Sequence, residues 1–193
     1  MLGVEQSGYM DAVGFELYLK LVEESVQELK EEQNLEEAAP RKNVECQILV
    51  EVPAFLPDSY VDSEDIRIDV YRRLSMLRTE DQLSLLTKEL LDRFGDIPQE
   101  TQNLLEIVEL KLLAEKRGLK KIVFDGNRLF LYFDETWMNA FPSSEQLSSH
   151  LRSIVDLSPV PVRFLQGKDF GIRFSLPPGN ALEFAKNFLQ RWD

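Results

Sequence analysis

Between Thr79 and Gly118 the apolar positions recur at helical spacing and break off twice, a pattern that predicts two helices joined by a sharp corner. Leu83, Leu86, Leu90 and Phe94 form the first stripe. Thr79 stands ahead of it with Gln82 three residues on, the spacing of a capping box. Gly95 follows where helices commonly end in a residue of positive φ, and Pro98 suits the first turn of the next helix. In that second helix Leu104, Val108 and Leu112 make one stripe and Ile107, Leu110 and Ala114 another, so a wide arc is apolar until Gly118 stops it. A helix of that kind is expected to be buried.

Upstream, Phe15, Tyr18, Leu19, Val22, Val26 and Leu29 share a helical face, after which periodicity is lost and a loop is expected near Asn34 to Asn43. Val44 to Val52 alternates, with Cys46, Ile48 and Val50 against Glu45, Gln47 and Glu51, and reads as a strand ended by Pro53. A helix entered at Asp62 or Ser63 follows, with Ile66, Val70, Leu74 and Leu77 as its stripe. After Gly118 the period changes to that of strands. LKKIVFDGNRLFLYF is a hairpin turning at Asp125-Gly126-Asn127, and VPVRFLQGKDFGIRFSL a second one around Gly167. Between them Ser143-Ser144-Glu145-Gln146 can cap a short helix that runs to about Val155. Leu182, Ala185, Phe188 and Leu189 belong to an amphipathic terminal helix starting near Pro178. Helices first and strands later indicate an α+β fold, a long N-terminal helix and a helical hairpin packed with antiparallel β-hairpins.

Three blocks carry a resemblance. Pro53, Leu56, Pro57 and Tyr60 in PAFLPDSYV, Tyr71, Arg72, Arg73 and Leu74 in DVYRRLSML, and Arg93, Phe94, Gly95 and Pro98 in LLDRFGDIP resemble, in type and spacing, the C-terminal domain of bacterial transcription-repair coupling factors. The likeness covers residues 2 to 125 well and weakens in the last third. The opening LGVEQSG, with Gln6, Ser7 and Gly8, is similar to the end of the translocation motif that these factors share with the RecG helicase. Three segments follow: 1–12 as the tail of that motor motif, 13–43 as a connecting acidic helix and loop, and 44–193 as a regulatory α+β domain. What the resemblance implies is a protein-interaction domain of an ATP-dependent DNA translocase that displaces stalled RNA polymerase and recruits nucleotide excision repair. In that family the domain docks on the parent's own UvrB-like N-terminal module, hiding the UvrA-binding surface and restraining the motor. The family pattern puts the docking acid at Glu89, which would pair with arginines of that module. ATP and Mg, like double-stranded DNA, belong by the same resemblance to the parent motor, and no cofactor is expected in this fragment.

Composition agrees with such a role without requiring it. The 193 residues are 44% hydrophobic, enough for a core, and 22 Lys plus Arg against 34 Asp plus Glu leave a net charge of −12, which suits a basic partner better than a phosphate backbone. Residues 14 to 39 hold eight Glu and two Lys. A solvated outer face explains them more simply than an acidic docking surface does. No apolar run is long enough to span a bilayer, and a single cysteine suits a reducing cytoplasm.

Candidate chemistry is sparse. No phosphate-binding loop of the Gly-x-x-x-x-Gly-Lys-Ser/Thr kind is present, and the tail of the translocation motif alone should hydrolyse nothing. His150, without a second histidine or a cysteine nearby, reads as a surface residue of a short helix, and Cys46 as a small core residue of a strand. Arg72 and Arg73 are expected to pair with nearby carboxylates, while Glu64-Asp65 and Glu80-Asp81 favour the dipoles of helix starts. Trp137 and Trp192 suit either an interface or the rim of a core. Two rival functions remain: a carboxylate-dependent hydrolase, which needs two converging acids, and a DNA-binding module, for which Lys116, Arg117, Lys120 and Lys121 form the one basic cluster.

Overall fold

The computed structural model describes residues 45–167, 169–177, 179 and 181–192, apart from the side chains of residues 138 and 139. The expected translocation-motif tail at Gln6, Ser7 and Gly8, the helix from Phe15, the acidic segment and the loop near Asn34 to Asn43 lie outside these residues. The chain divides into two compact units, whose described parts are residues 52–108 and residues 45–51 with 109–192.

The first unit is helical. Helix α1 (Glu64–Met76) is capped by Ser63, whose side chain accepts from the Ile66 amide, and Glu64 and Asp65 lie in its positive first turn. It buries Val70, Tyr71 and Leu74. Helix α2 (Glu80–Phe94) starts in the expected capping box: the Gln82 amide donates to Thr79 Oγ1 at 3.3 Å and the Thr79 amide to Gln82 Oε1 at 3.3 Å. Leu83, Leu86 and Leu90 are its buried stripe, and Phe94 at the end is half-buried. Removal of a leucine side chain such as Leu90, 1% exposed, from water stabilises by about 1.5–3 kcal/mol.

Gly95 has φ 81° and ψ −153°, a conformation open in practice only to glycine and more extended than the left-handed turn the sequence suggested. The chain leaves α2 at Gly95 and enters the next helix four residues later, after Pro98. Helix α3 (Gln99–Lys116) follows Pro98, whose carbonyl accepts from the Gln102 amide at 2.9 Å. Leu104, Ile107, Val108, Leu110 and Ala114 are buried as expected, whereas Leu112 is half-buried and Leu105 and Leu113 are buried. The helix crosses from one unit to the other, so no single stripe describes both ends of it.

The first two motif blocks turn out to be structural fasteners. Phe55 donates from its amide to the Glu100 carbonyl, Thr101 Oγ1 donates to the Phe55 carbonyl at 3.1 Å, and Asn103 Nδ2 donates to the Pro53 carbonyl at 2.8 Å. The Leu56 amide donates to the Tyr71 hydroxyl at 2.8 Å. Backbone groups of a segment without regular structure are thereby satisfied, which is what allows Ala54, Leu56 and Val61 to be buried.

The second unit is a five-stranded mixed sheet with helices. Strands β1 (Gln47–Leu49), β2 (Leu119–Asp125), β3 (Arg128–Phe133), β4 (Val162–Leu165) and β5 (Gly171–Ser175) stand in the order β1-β2-β3-β5-β4. Both expected hairpins form: β2 pairs with β3 across Gly126-Asn127, and β4 with β5. Two differences from the sequence reading are physical. The alternating run at 44–52 forms ladder pairs over three residues only, and β1 pairs with β2 in parallel, which no local pattern announces because a parallel partner is distant in the chain. A helix α4 (Glu135–Asn139), capped by Asp134, was also not foreseen, being one turn with no periodicity to read.

Helices α5 (Ser144–Leu157) and α6 (Ala181–Arg191) match expectation, α5 being capped by Ser143. One sheet face carries Ile122, Leu129, Leu131, Ile172 and Phe174, all fully buried, and the Phe188 ring of α6 meets Phe174 edge-on at 4.8 Å. His150 is not the surface histidine expected. It is half-buried among Trp137, Phe141 and Trp192, because Trp192, forty-two residues on in the chain, joins the nearby Trp137 and Phe141 around it.

Candidate protein-interaction surface

Glu89 lies on α2 four residues before Arg93 and opposite Arg73 of α1. Arg73 grips the carboxylate with both terminal nitrogens, Nη1 to Oε1 at 2.8 Å and Nη2 to Oε2, and Arg93 Nη1 donates to Oε1 at 2.9 Å. This is the planar fork geometry that arginine offers and lysine does not. The hydrogen bonds from Arg73 and then Arg93 hold the Glu89 carboxyl down at about 2, and the bond to Glu89 raises the Arg73 guanidinium. A third of the Glu89 side chain, 34%, stays in solvent.

The family motif around Glu89 builds the support. The Tyr60 hydroxyl donates to the Leu90 carbonyl at 3.1 Å and to the Gly95 carbonyl at 3.3 Å, closing the end of α2, and its ring meets Phe94 edge-on at 5.8 Å. Arg93 lies over the Phe94 ring at 5.0 Å, which orients the guanidinium toward Glu89. Phe94 therefore holds Arg93 in place, Gly95 turns the chain and Pro98 restarts the helix.

Beside this ion-pair group the helix exposes a leucine. Leu85 is 66% exposed and lies one turn before Glu89 on the same side of α2, between the exposed Asp81 and Lys88. Leu91 and Met76 are also exposed, at 47% each. Leu85 falls outside the buried stripe, a position the sequence showed but the stripe argument passed over; a single exposed leucine is ordinary on a surface, and this one stands out only through the fixed ion-pair group one turn away. What the surface can do is dock. A leucine supplies apolar area, and the Arg73–Glu89–Arg93 group supplies fixed charge at its edge.

The other candidates resolve into structural roles. Cys46 is buried and its thiol is pushed far up by burial, and by Glu115 secondarily, so it is not a nucleophile at neutral pH. Trp192 is 3% exposed and Trp137 half-buried, both in the aromatic cluster around Phe133. The basic run after α3 is split up: Arg117 donates to the Trp192 carbonyl and Lys120 to Asp169 at 2.7 Å. Arg72 is exposed. A cavity of about 270 Å³ on α5 is lined by Ser144, Glu145, Ser148, Ser149 and Arg152; its single carboxylate does not supply the pair a hydrolase of that class needs. Among the described residues no group of three His, Cys, Asp or Glu side chains could hold a metal ion, and no helix is long and apolar enough to cross a membrane.

A family profile described as the TRCF domain matches residues 50–142, which contain all three motif blocks and Glu89. The transcription-repair-coupling factor of Haemophilus influenzae is 40% identical over 124 residues, covering 63% of this chain and 11% of its own length. That of Staphylococcus haemolyticus is 37% identical over 129 residues, with 67% of this chain and 11% of its own length covered. The chain belongs to the TRCF domain family. The Escherichia coli transcription-repair-coupling factor is 36% identical over 129 residues, 66% of this chain. A crystal structure of the C-terminal domain of a transcription-repair coupling factor superposes with a TM-score of 0.67 at 20% identity, covering 77% of this chain and 90% of that one, and shows the same fold. The TRCF chain described here spans about a tenth of the length of these curated relatives, 11% in each.

Proposed function

We propose that this TRCF domain is a non-catalytic regulatory module of a transcription-repair coupling factor, and that it docks on the parent's UvrB-like N-terminal module through the outer face of α2. Docking would cover the UvrA-binding surface and restrain an ATP- and Mg-dependent DNA translocase, acting in the cytoplasm on stalled RNA polymerase. The observation that carries this reading is Leu85, 66% exposed one helical turn from a carboxylate fixed by two arginines.

An exposed leucine with Asp81 one turn before it and Glu89 one turn after it, beside Lys88, offers an apolar contact with two carboxylates at its edge, which suits a partner surface that carries both an apolar notch and basic groups. Glu89 need not give up Arg73 or Arg93 to take part. Oε2 accepts one hydrogen bond against two at Oε1, which leaves it room for another donor. The fragment itself needs no cofactor for this role.

The test mixes the chain with a separately expressed UvrB-like module and measures affinity by calorimetry. Binding that is weakened by salt and by Leu85→Lys supports the proposal. Absence of binding, or binding indifferent to both, refutes it.

A further inference from the structure

The sheet of the second unit has one face buried and one open, and the open face has a composition foreign to the rest of the chain. Residues 1–108 hold ten Lys and Arg against twenty-four Asp and Glu, whereas residues 109–193 hold twelve against ten. Ladder register collects several of those cations on one face. Lys121 stands opposite Tyr132, Phe130 opposite Arg173, and Arg173 opposite Arg163 on the edge strand. Strand alternation puts Arg128 on the same side, two residues before Phe130.

Two features of that face ask for a ligand. Arg163 and Arg173 are like charges directly opposite each other across β4 and β5, an arrangement that destabilises a sheet. The Nε of Arg173 is shielded from solvent and makes no hydrogen bond among the described residues. Beside them the Phe130 and Tyr132 rings lie nearly parallel, 4° apart in plane with centroids 6.4 Å apart, both half-buried, while Arg128, 5.9 Å from the Phe130 ring, is already paired with Asp125 and so is not one of the phosphate-binding cations. Two flat rings in a row with cations on both sides fit a polyanion that also carries flat apolar groups.

We propose that this open sheet face binds single-stranded nucleic acid, with two successive bases stacked on Phe130 and Tyr132 and the phosphates held by Lys121, Arg163 and Arg173. An acidic peptide would satisfy the arginines but would leave the parallel rings without a counterpart. A duplex keeps its bases in its own stack and would use the charges alone. The interaction is independent of the α2 surface, since none of its residues lies in the first unit.

The experiment is fluorescence anisotropy of a labelled oligothymidylate of about twelve nucleotides with the whole chain at roughly 50 mM salt. Binding is expected, with affinity falling about tenfold or more when salt rises to roughly 200 mM. Arg163→Glu, at an exposed edge position, should weaken binding several-fold and flatten the salt dependence. Phe130→Leu with Tyr132→Leu should weaken it comparably while leaving the salt dependence in place, with circular dichroism reporting the fold. If the double variant does not fold, Arg163→Glu decides. No binding at low salt, binding unaffected by Arg163→Glu, or equal affinity for polyglutamate or for a duplex of the same length overturns the proposal.

Discussion

Arg73 of α1 and Glu89 of α2 are sixteen residues apart in the chain and meet fork to fork, so that the charge of this surface is built from within the domain. Arg93 adds a second cation to the same carboxylate at 2.9 Å. The free energy involved is small because the group is exposed, but the geometry is fixed by two helices, not by one mobile side chain.

The pair should leave a pH signature. Glu89 titrates at about 2 in the fold, below its ordinary 4.5, so its contribution is complete above pH 4.5 and fades as pH falls through 2. Glu89→Gln is expected to cost about 0.5–1 kcal/mol at neutral pH, a surface value since 34% of the side chain is in water. Urea unfolding of both forms at neutral pH and near pH 2 checks this: the gap should close at the acid end. A gap that persists there would mean that the carboxylate's charge is not what the arginines read.

The same geometry changes what a charge reversal reports. Glu89→Arg would crowd a third guanidinium against Arg73 and Arg93, so it perturbs the fold as well as any docking. Leu85→Lys is the cleaner probe, because a residue 66% exposed makes little of the domain's own core. It should lower affinity for the UvrB-like module by about tenfold, roughly 1.4 kcal/mol, while thermal unfolding moves by less than about 0.5 kcal/mol. Equal affinities would take α2's outer face out of the interface.

Two glycines separate backbone strain from steric clash. A Cβ at Gly95 would meet nothing within 4 Å, so Gly95→Ala carries only the cost of φ 81°, about 1–3 kcal/mol, and Gly95→Val at least as much. A Cβ at Gly118 has φ 70° and also sits 2.7 Å from Trp137 Cδ1. Gly118→Ala should therefore be the more destabilising of the two alanine variants, and should shift tryptophan fluorescence, which Gly95→Ala should not. Equal melting temperatures with no spectral change at Gly118→Ala would refute the close approach.

How far the sequence reached can be judged at these positions. Thr79, Gln82, Gly95, Ser63 and Ser143 announce themselves, because caps and turns are local chemistry within a few residues, and the structure bears them out. The parallel pairing of β1 with β2 joins Gln47 to Lys121, and the Arg73–Glu89 fork joins two helices; neither leaves a trace in any short window. Arg73 was legible as an ion-paired residue but its partner was not. The resemblance assigned Glu89 to arginines of another module, whereas its carboxylate is already bound by two arginines of this chain, Arg73 and Arg93. The open sheet face was illegible for the same reason: Lys121, Phe130, Arg163 and Arg173 are brought into a row only by ladder register.

The last expectation concerns His150, whose Nε2 accepts from Trp192 Nε1 at 3.3 Å. An accepting nitrogen carries no proton, so the fold selects the neutral imidazole in one tautomer. Burial lowers its pKa, and the surrounding rings of Trp137, Phe141 and Trp192 offer no carboxylate to reverse that. The sign follows from linkage. The unfolded chain takes up its proton near the ordinary 6.5, before the folded one does, so stability is complete above 6.5 and is lost as pH falls toward and through the depressed folded value. His150→Gln keeps an acceptor in place and removes the titration. Thermal unfolding followed by tryptophan fluorescence at pH about 7.5 and 5 should show the parent losing more stability than the variant over that interval. Parallel losses would mean that the imidazole is protonated as easily in the fold as outside it, and that the bond from Trp192 does not select its neutral form.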